Sequence, residues 1–362
     1  MKFISLLSNL RLLYNFFLFL ALINIFFSTG KSLAKTFAIN DIEISTPFEI
    51  NFNKNEIIDE GFVKAFNELI LSIVQSKDQV KLKNTSINQI KGMIETFSIK
   101  EEKFVDEIYF LNLNVSFNKK NIFDLLESKS VFPSLPLKKN FLFIPVFIDQ
   151  NKNQVSMFSE NILFTNWNLN NKKYSLLNYI LPTQDLDDFN LIKKNINNLE
   201  TYDFKEIINK YNIDDHIIMI VYKNNNKIRV FNKIFFNQKN NLKNLNFSEV
   251  NFNNEEDIFK FIDKLKLVYE DFWKSQNEIN TSVKLPLNIS INNSNNIKIN
   301  KFEKILSDMD LIYNFYIYKF DNKNNFYKVI FNGTPDKFLE VMRIQNYDFE
   351  IKNKIWVLND KS

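Results

Sequence analysis

The sequence predicts an α+β protein of two or three small sheet-plus-helix domains, the last of them ferredoxin-like, with a split βαβ arrangement. Apolar residues alternate at every second position in some segments and recur at helical spacing in others, the periods of half-buried strands and amphipathic helices. Proline-containing or polar stretches at residues 132–136 and 288–296 divide the chain. We therefore expect a leader followed by three domains, over residues 1–34, 35–130, 138–280 and 297–360.

Residues 1–34 have the organisation of a secretory signal peptide. Lys2 and Arg11 lie in a short polar start, residues 12–27 are almost wholly apolar, and small residues precede a cleavage point after Ala34. The apolar stretch has 16 residues and includes two asparagines, whereas a spanning helix needs roughly 20 apolar residues. We therefore expect an exported, periplasmic protein of a bacterial cell envelope. The alternative is an uncleaved leader that anchors the chain in the membrane through residues 12–27.

The first domain is predicted to be one helix packed on an antiparallel sheet. Alternating apolar residues indicate strands over residues 39–52, 94–99 and 109–117. Between the first two, an amphipathic helix presents a stripe at spacings of three and four, formed by Phe62, Phe66, Leu69, Ile70 and Ile73.

The middle domain begins with a continuous apolar strand over residues 141–148. Pro145 has no N–H group to donate, so this strand is expected at a sheet edge or with a bulge. Thr201 is expected to cap a helix over residues 204–211, and the apolar run 217–222 predicts a central strand buried on both faces. A strand over residues 228–236 and a long helix starting at three acidic residues, 255–257, complete the domain.

The last domain has the order α-β-β-α-β, which suggests the ferredoxin-like fold. A helical stripe over residues 302–309 precedes a hairpin over residues 311–331. Thr334, Pro335 and Asp336 then give a helix start, because threonine caps, proline fits the first helical position and aspartate complements the dipole. We interpret the asparagine-rich residues 288–296 as a polar linker before this domain.

Composition excludes several classes of function. The chain has no cysteine, a single histidine and four glycines, so thiol chemistry, cysteine metal sites and glycine-rich phosphate loops are not expected. Removing the three basic residues of the leader lowers the net charge from +4 to +1, which gives no basic surface for nucleic acid. We expect no cofactor and no bound metal.

Two acidic segments are the candidate sites. Asp215 and His216, which follow Asp214, could hold a catalytic base or a metal at the entrance of strand 217–222. The alternative is a turn whose histidine begins the strand. Asp187 and Asp188, which follow Asp185, could act as paired carboxylates in glycoside hydrolysis, with Glu200 and Asp203 further along. The alternative is a capped helix start.

Tryptophans are a third candidate feature, because an exposed indole is a frequent anchor for protein or glycan contacts. Trp167, Trp273 and Trp356 are available for such a role. With 15% aromatic residues in the chain, packing in the core is the more economical interpretation.

Six segments together resemble a bacterial exported family, the domain-of-unknown-function family twenty-sixty-six. They are FVKAFNELILSIV, FLFIPVFIDQ, LPTQDLDDF, IIMIVY, FNGTPDKFLEVMRI and IKNKIWVL, and they extend over most of the chain after the leader. The resemblance implies export but supplies no activity and no catalytic residues, because none is established for the family.

The sequence thus favours a non-enzymatic envelope protein that binds another envelope protein or assembles with it. The first alternative is an envelope hydrolase that uses Asp187, Asp188, Asp215 or His216. The second is a membrane-tethered module with a retained leader. No nucleic acid partner is expected, and membrane contact is expected only if the leader is retained.

Overall fold

The computed structural model describes residues 36–49, 52–248, 250–352 and 354–358. The predicted leader, including residues 12–27, lies outside them. Within the described ranges, no helix combines the length and the apolar character needed to cross a bilayer. Helices alternate there with antiparallel and mixed sheets, which confirms the predicted α+β class.

The first sheet is antiparallel with the order β1-β3-β2. Its strands are β1 (Thr36–Pro47), β2 (Ile94–Val105) and β3 (Ile108–Asn118). Helix α1 (Lys54–Ile73) buries the predicted stripe against this sheet. The strand predicted over residues 39–52 ends at Pro47; residues 50 and 51 of that prediction lie outside the described residues. Asn53 caps α1 by accepting a hydrogen bond from the Asn55 amide.

Short helices complete the first unit. They are α2 (Ser76–Gln79), a 3-10 turn (Val80–Leu82), α3 (Ile87–Met93) and α4 (Lys119–Ser128).

The middle sheet is mixed, with the order β5-β4-β7-β8-β9 and with β6 paired to the start of β4. Its strands are β4 (Lys139–Asp149), β5 (Gln154–Ser156), β6 (Leu177–Ile180), β7 (His216–Asn224), β8 (Lys227–Phe236) and β9 (Lys239–Ser248). Strands β4 and β7 are parallel neighbours. The predicted central strand is therefore β7, and its residues 217–221 are buried on both faces.

Helices cover both faces of this sheet. Helix α8 (Glu255–Gln276) packs with Phe143 and Trp167 in the core on one face. On the other face the core includes Ile192 and Ile207, from α6 (Leu186–Lys194) and α7 (Lys205–Ile208). The connecting segments contain α5 (Ile162–Asn166) and 3-10 turns at Phe158–Glu160 and Ile196–Asn198.

Pro145 lies in a strand that is interior in the sheet but locally unpaired on one side. Strand β6 pairs with residues 139–142 of β4 and β5 pairs with residues 147–149, so Pro145 falls in the gap between them. Its carbonyl accepts a hydrogen bond from Asn161 Nδ2 at 3.1 Å. The side on which proline lacks an N–H group is this unpaired side, so no hydrogen bond between strands is lost. The predicted edge position therefore applies to Pro145 and not to the whole strand.

Two other predictions for the middle unit differ from the structure. Strand β9 was not predicted, because its asparagine-rich sequence offers few apolar residues. Thr201 does not cap a helix: its hydroxyl donates to the Asn198 carbonyl at 3.0 Å. The predicted helix shrinks to the single turn α7, where Asp203 accepts a hydrogen bond from the Lys205 amide at 3.1 Å.

The last sheet has the order β11-β12-β10-β14-β13. Its elements are β10 (Leu285–Asn292), α9 (Asn296–Asp308), β11 (Ile312–Phe320), β12 (Asn324–Phe331), α10 (Pro335–Ile344), β13 (Phe349–Lys352) and β14 (Ile355–Leu358). Antiparallel β12 lies between β10 and β11, which gives the expected split βαβ unit. The final hairpin adds a departure, because β14 inserts between β13 and β10 and runs parallel to β10.

The prediction of a polar linker over residues 288–296 is wrong for residues 288–292. Residues 288–292 belong to β10, the middle strand of this sheet. Leu287, Ile289 and Ile291 alternate with polar residues and are buried. This is the period of a half-buried strand, which the surrounding asparagines obscure.

Helix α8 joins the middle unit to the first. Lys274 Nζ donates to the carbonyls of Leu71 and Val74, at the C-terminal end of α1. One turn earlier, the Asp271 carboxylate accepts hydrogen bonds from the amide of Ser76, at 2.8 Å, and from its hydroxyl. The last unit joins the first through ion pairs between Lys119 and Asp310 and between Lys284 and Glu127.

Candidate functional site

The cleft at the start of β7 is the concave site that contains the predicted histidine. Its volume is about 980 Å³. Its walls come from three segments that are distant in sequence, residues 200–209, 214–218 and 233–242. Two of the four candidate residues, Asp215 and His216, line it; Asp187 and Asp188 do not.

His216 is fixed by two contacts. Its Nδ1 lies 2.7 Å from the Asp214 carbonyl, and its ring stacks on Phe235 with centroids 4.8 Å apart. The register of β7 and β8 pairs these two residues directly. Burial lowers the pKa of the imidazole. The neutral ring therefore donates Nδ1–H to the carbonyl, which leaves Nε2 as an acceptor.

Asp215 holds a turn together. Its Oδ1 accepts a hydrogen bond from the Asn237 amide at 3.2 Å, in the β8–β9 turn where Asn237 and Gln238 both have positive φ. Its Oδ2 lies 2.5 Å from Lys139 Nζ. Both carboxylate oxygens are thus occupied by structural contacts.

The other acidic residues of the cleft are mostly paired with cations. A hydrogen bond from Arg229 lowers the pKa of Glu200. The Lys205 amide lowers that of Asp203, whose carboxylate also lies 3.2 Å from Lys205 Nζ. Lowered pKa values keep these groups ionised at neutral pH, so neither can serve as a general acid.

Asp187 and Asp188 lie in the first turn of α6, as the capped helix start requires. The Asp185 side chain accepts hydrogen bonds from both of their amides and is the N-cap. Asp187 is exposed, whereas Asp188 is fully buried and lies 2.6 Å from Lys210 Nζ. Lys210 also pairs with Asp185 at 2.6 Å, and these two carboxylates raise its pKa.

The cleft has little of the chemistry that hydrolysis needs. Thr201 is the hydroxyl residue in its lining, and that hydroxyl donates to the Asn198 carbonyl. Glu270 has a pKa raised by burial, but its carboxylate lies in the core and accepts hydrogen bonds from the amides of Leu176 and Leu177. Among the described residues, no group of three or more histidine, cysteine or acidic side chains is placed to hold a metal ion.

The three tryptophans belong to cores. Trp167, Trp273 and Trp356 are at most 7% exposed, and each stacks edgewise on other aromatic rings. They do not form a surface for ligands.

Sequence reasoning missed the cationic and aromatic walls of the cleft. Lys233 and Phe235 come from β8, and they reach the cleft only because β8 pairs with β7. No local pattern in the sequence carries that register. Burial lowers the pKa of Lys233, whose ammonium donates to the Tyr202 carbonyl at 2.8 Å.

Comparison with known proteins identifies no family for this chain. No family model matches the chain, so the resemblance to family twenty-sixty-six stays a prediction. No curated protein matches it significantly either. A solved structure described as an uncharacterized protein is similar over 40% of this chain and 95% of its own, with 6% identity and a TM-score of 0.16. A likeness this weak carries no argument about fold or function.

We predict that His216 makes the protein less stable in mild acid. Its pKa is lowered from 6.5, so the unfolded chain binds the proton more tightly, and the free energy of unfolding falls as pH drops below about 6.5. The variant His216→Asn keeps a donor for the Asp214 carbonyl but does not titrate. In urea denaturation, the stability of the wild type relative to this variant should decrease from about pH 7.5 to about pH 5. A relative stability that rises over this interval would contradict the assignment.

We also predict that the ion pair between Lys210 and the buried Asp188 carboxylate stabilises the fold. Lys210→Met should lower the free energy of unfolding by roughly 2–4 kcal/mol, because it leaves a buried carboxylate without its cation. Adding Asp188→Asn should recover most of this loss. The matched control Asp187→Asn, on the exposed neighbour, should change stability by less than about 0.5 kcal/mol. Unchanged stability of Lys210→Met in chemical denaturation would refute the prediction.

Proposed function

We propose that this chain is a non-enzymatic, exported module that binds another protein of the cell envelope by strand addition at the outer edge of β11. The predicted leader supports the location. The observation that carries the binding proposal is the combination of an unpaired strand edge with exposed aromatic side chains at β11. Extended segments of partner proteins bind such edges through main-chain hydrogen bonds, and side-chain contacts supply specificity.

Strand β11 ends the last sheet, with β12 on its one paired side. Its C-terminal half is exposed on both faces, and large apolar residues dominate it: Tyr316, Ile317, Tyr318 and Phe320 are 44–78% exposed. Contiguous exposed apolar surface of this kind typically marks an interaction site.

Two other edge strands, β2 and β9, carry more charged and polar residues than β11. Strand β2 also exposes apolar residues, but five of its twelve residues are charged, and Lys100 and Glu102 form ion pairs with the neighbouring Asp41 and Lys54. Strand β9 is rich in lysine and asparagine. Charged residues on edge strands are the usual protection against unwanted pairing. Lys319 is the one charged residue of β11.

The partner segment can be described by its chemistry. Lys319 on β11 and Lys323 in the following turn are exposed. With Lys328 they outnumber the one acidic residue, Asp321, so the β11–β12 hairpin is basic. An extended segment with alternating apolar residues and an acidic residue opposite Lys319 would complement the edge.

The hydrolase alternative receives less support from the candidate cleft. Its carboxylates other than Asp214 are engaged with Lys139, Lys205 or Arg229. Asp187 and Asp188 lie outside it. A pair of carboxylates, one protonated and one ionised, is what glycoside hydrolysis requires.

A photo-crosslinking amino acid in place of Tyr318 tests the binding proposal in intact cells. We expect one discrete adduct with another envelope protein. The variant Ile317→Lys/Phe320→Lys should remove this adduct, because two charges on the edge prevent strand pairing. The matched control Leu169→Lys/Ile344→Lys adds the same charge at two residues that are each 69% exposed, and should keep it. The absence of an adduct, an adduct insensitive to the edge variant, or an adduct of this chain with itself would count against the proposal.

A further inference from the structure

Lys266 on α8 is a buried lysine without a counter-ion. The residue is 9% exposed. Among the described residues, its ammonium forms no ion pair and donates one hydrogen bond, to Asn171 Oδ1 at 2.8 Å. It lies over the rings of Trp167 and Tyr179, 5.7 and 5.8 Å from their centroids. Lysines are rarely buried unless they are paired, so this one calls for a specific explanation.

Burial makes the Lys266 amine more reactive than that of an exposed lysine. Loss of hydration disfavours the charged form and lowers the pKa of Lys266 to about 8. The neutral amine is therefore much more populated near neutral pH than in an ordinary lysine. Neutral lysine in a hydrophobic pocket is an established type of nucleophile.

The side-chain amide of Asn171 is the electrophile within reach of this amine. Because Oδ1 lies 2.8 Å from Nζ and a C=O bond is about 1.23 Å long, Nζ lies within about 4 Å of Cγ. Reacting atoms in productive complexes are about 3–3.5 Å apart. A small rotation of either side chain is enough to reach that distance.

Contacts on both sides of Asn171 hold its segment along α8. Lys172 Nζ lies 3.6 Å from the carboxylate of Asp263, one turn before Lys266. Glu270, one turn after Lys266, accepts hydrogen bonds from the amides at the start of β6. The charges of Asp263 and Glu270 also act on the amine, and carboxyl groups are effective proton carriers beside a nucleophile. Amine and amide are thus positioned by the fold, which favours their reaction.

We propose that Lys266 and Asn171 form an intramolecular isopeptide bond. Nζ attacks Cγ and forms the new C–N bond, and the bond from Cγ to Nδ2 breaks. One proton of the amine passes to the departing nitrogen, which leaves as ammonia. The reaction consumes no oxidant, reductant or other reactant. Asn171 is exposed, so the ammonia can escape to solvent.

The bond closes a large loop in a chain that has no cysteine. Its two residues are 95 positions apart, and the loop includes strands β6 to β9. A crosslink of this span restricts the unfolded chain as a disulfide does, but reductants do not break it. The inference is independent of the binding proposed at β11, because the two sites share no residue.

Peptide mapping of the full chain by mass spectrometry tests the bond. The folded protein is purified, denatured and digested with trypsin, which does not cleave after a lysine whose amine is acylated. We expect a branched peptide that joins residues 153–172 to residues 265–274. It should be lighter than the two linear peptides together by one ammonia, and fragmentation should place the branch at Asn171 and Lys266. Recovery of only the linear peptides, or a branch at other residues, would overturn the proposal.

Three variants separate the bond from a simple hydrogen bond. Lys266→Arg keeps a donor for Asn171 Oδ1 but has no amine to acylate, and Asn171→Ala has no amide to attack, so both should give linear peptides only. The matched control Lys172→Arg keeps the pairing with Asp263 and should keep the branched peptide. The wild type should have a higher Tm than Lys266→Arg, because the crosslink is lost in the variant. An equal Tm for the two proteins, or loss of the branch in Lys172→Arg alone, would count against the bond.

Discussion

The hydrogen bonds that Lys274 donates to the end of α1 are the contact on which the packing of the first sheet unit against the middle one depends. The last carbonyls of a helix have no partners within the helix and carry the negative end of its dipole. Lys274 is 3% exposed, and its ammonium donates to two of these carbonyls, those of Leu71 and Val74. Burial lowers its pKa. A cation in such a place is tolerated only where hydrogen bonds replace its water.

Neighbouring residues of α8 form further hydrogen bonds, to the linker before β4 and to the middle sheet. Trp273 Nε1 donates to the Leu137 carbonyl at 2.7 Å, which fixes the linker before β4. The Glu270 carboxylate accepts the amides at the start of β6, and the Tyr269 hydroxyl donates to Asn232 on β8. One and a half turns of helix thus hold the first unit, the linker and the middle sheet in register.

The middle and last units differ in how much of their sheets is exposed. Strands β4 and β7 are covered on both faces, so the middle unit contributes structure more than exposed surface. In the last unit, the C-terminal half of β11 is exposed on both faces. Paired carboxylates in the His216 cleft and unpaired apolar surface at β11 together favour recognition over catalysis.

Much of the fold could be predicted from local sequence, because several helices and strands have clear patterns of apolar residues. The stripe of α1, the apolar run of β7 and the Asp185 cap of α6 were each visible in the sequence and are present in the structure. Strands β9 and β10 were missed because asparagine is abundant in them. Strand β9 pairs with β8 across a hairpin, whereas the neighbours of β10, β12 and β14, are distant from it in sequence. The sites were harder to predict for the same reason. The pairing of Asp188 with Lys210 and the stacking of His216 on Phe235 arise from tertiary packing, which no local motif encodes.

Hydrogen exchange on the variant Lys274→Met tests the role of α8 most directly, with Lys260→Met as a control on the same helix, where the lysine side chain is 62% exposed. If Lys274 joins the two units, its loss should leave the Leu71 carbonyl unsatisfied and the Val74 carbonyl with Gln79 Nε2 as its remaining donor. It should lower the free energy of unfolding by about 1–3 kcal/mol and reduce protection in the last turn of α1 and in α2. The control should leave both unchanged. Full protection of these segments in Lys274→Met, with unchanged stability, would contradict the role of Lys274 in joining the units.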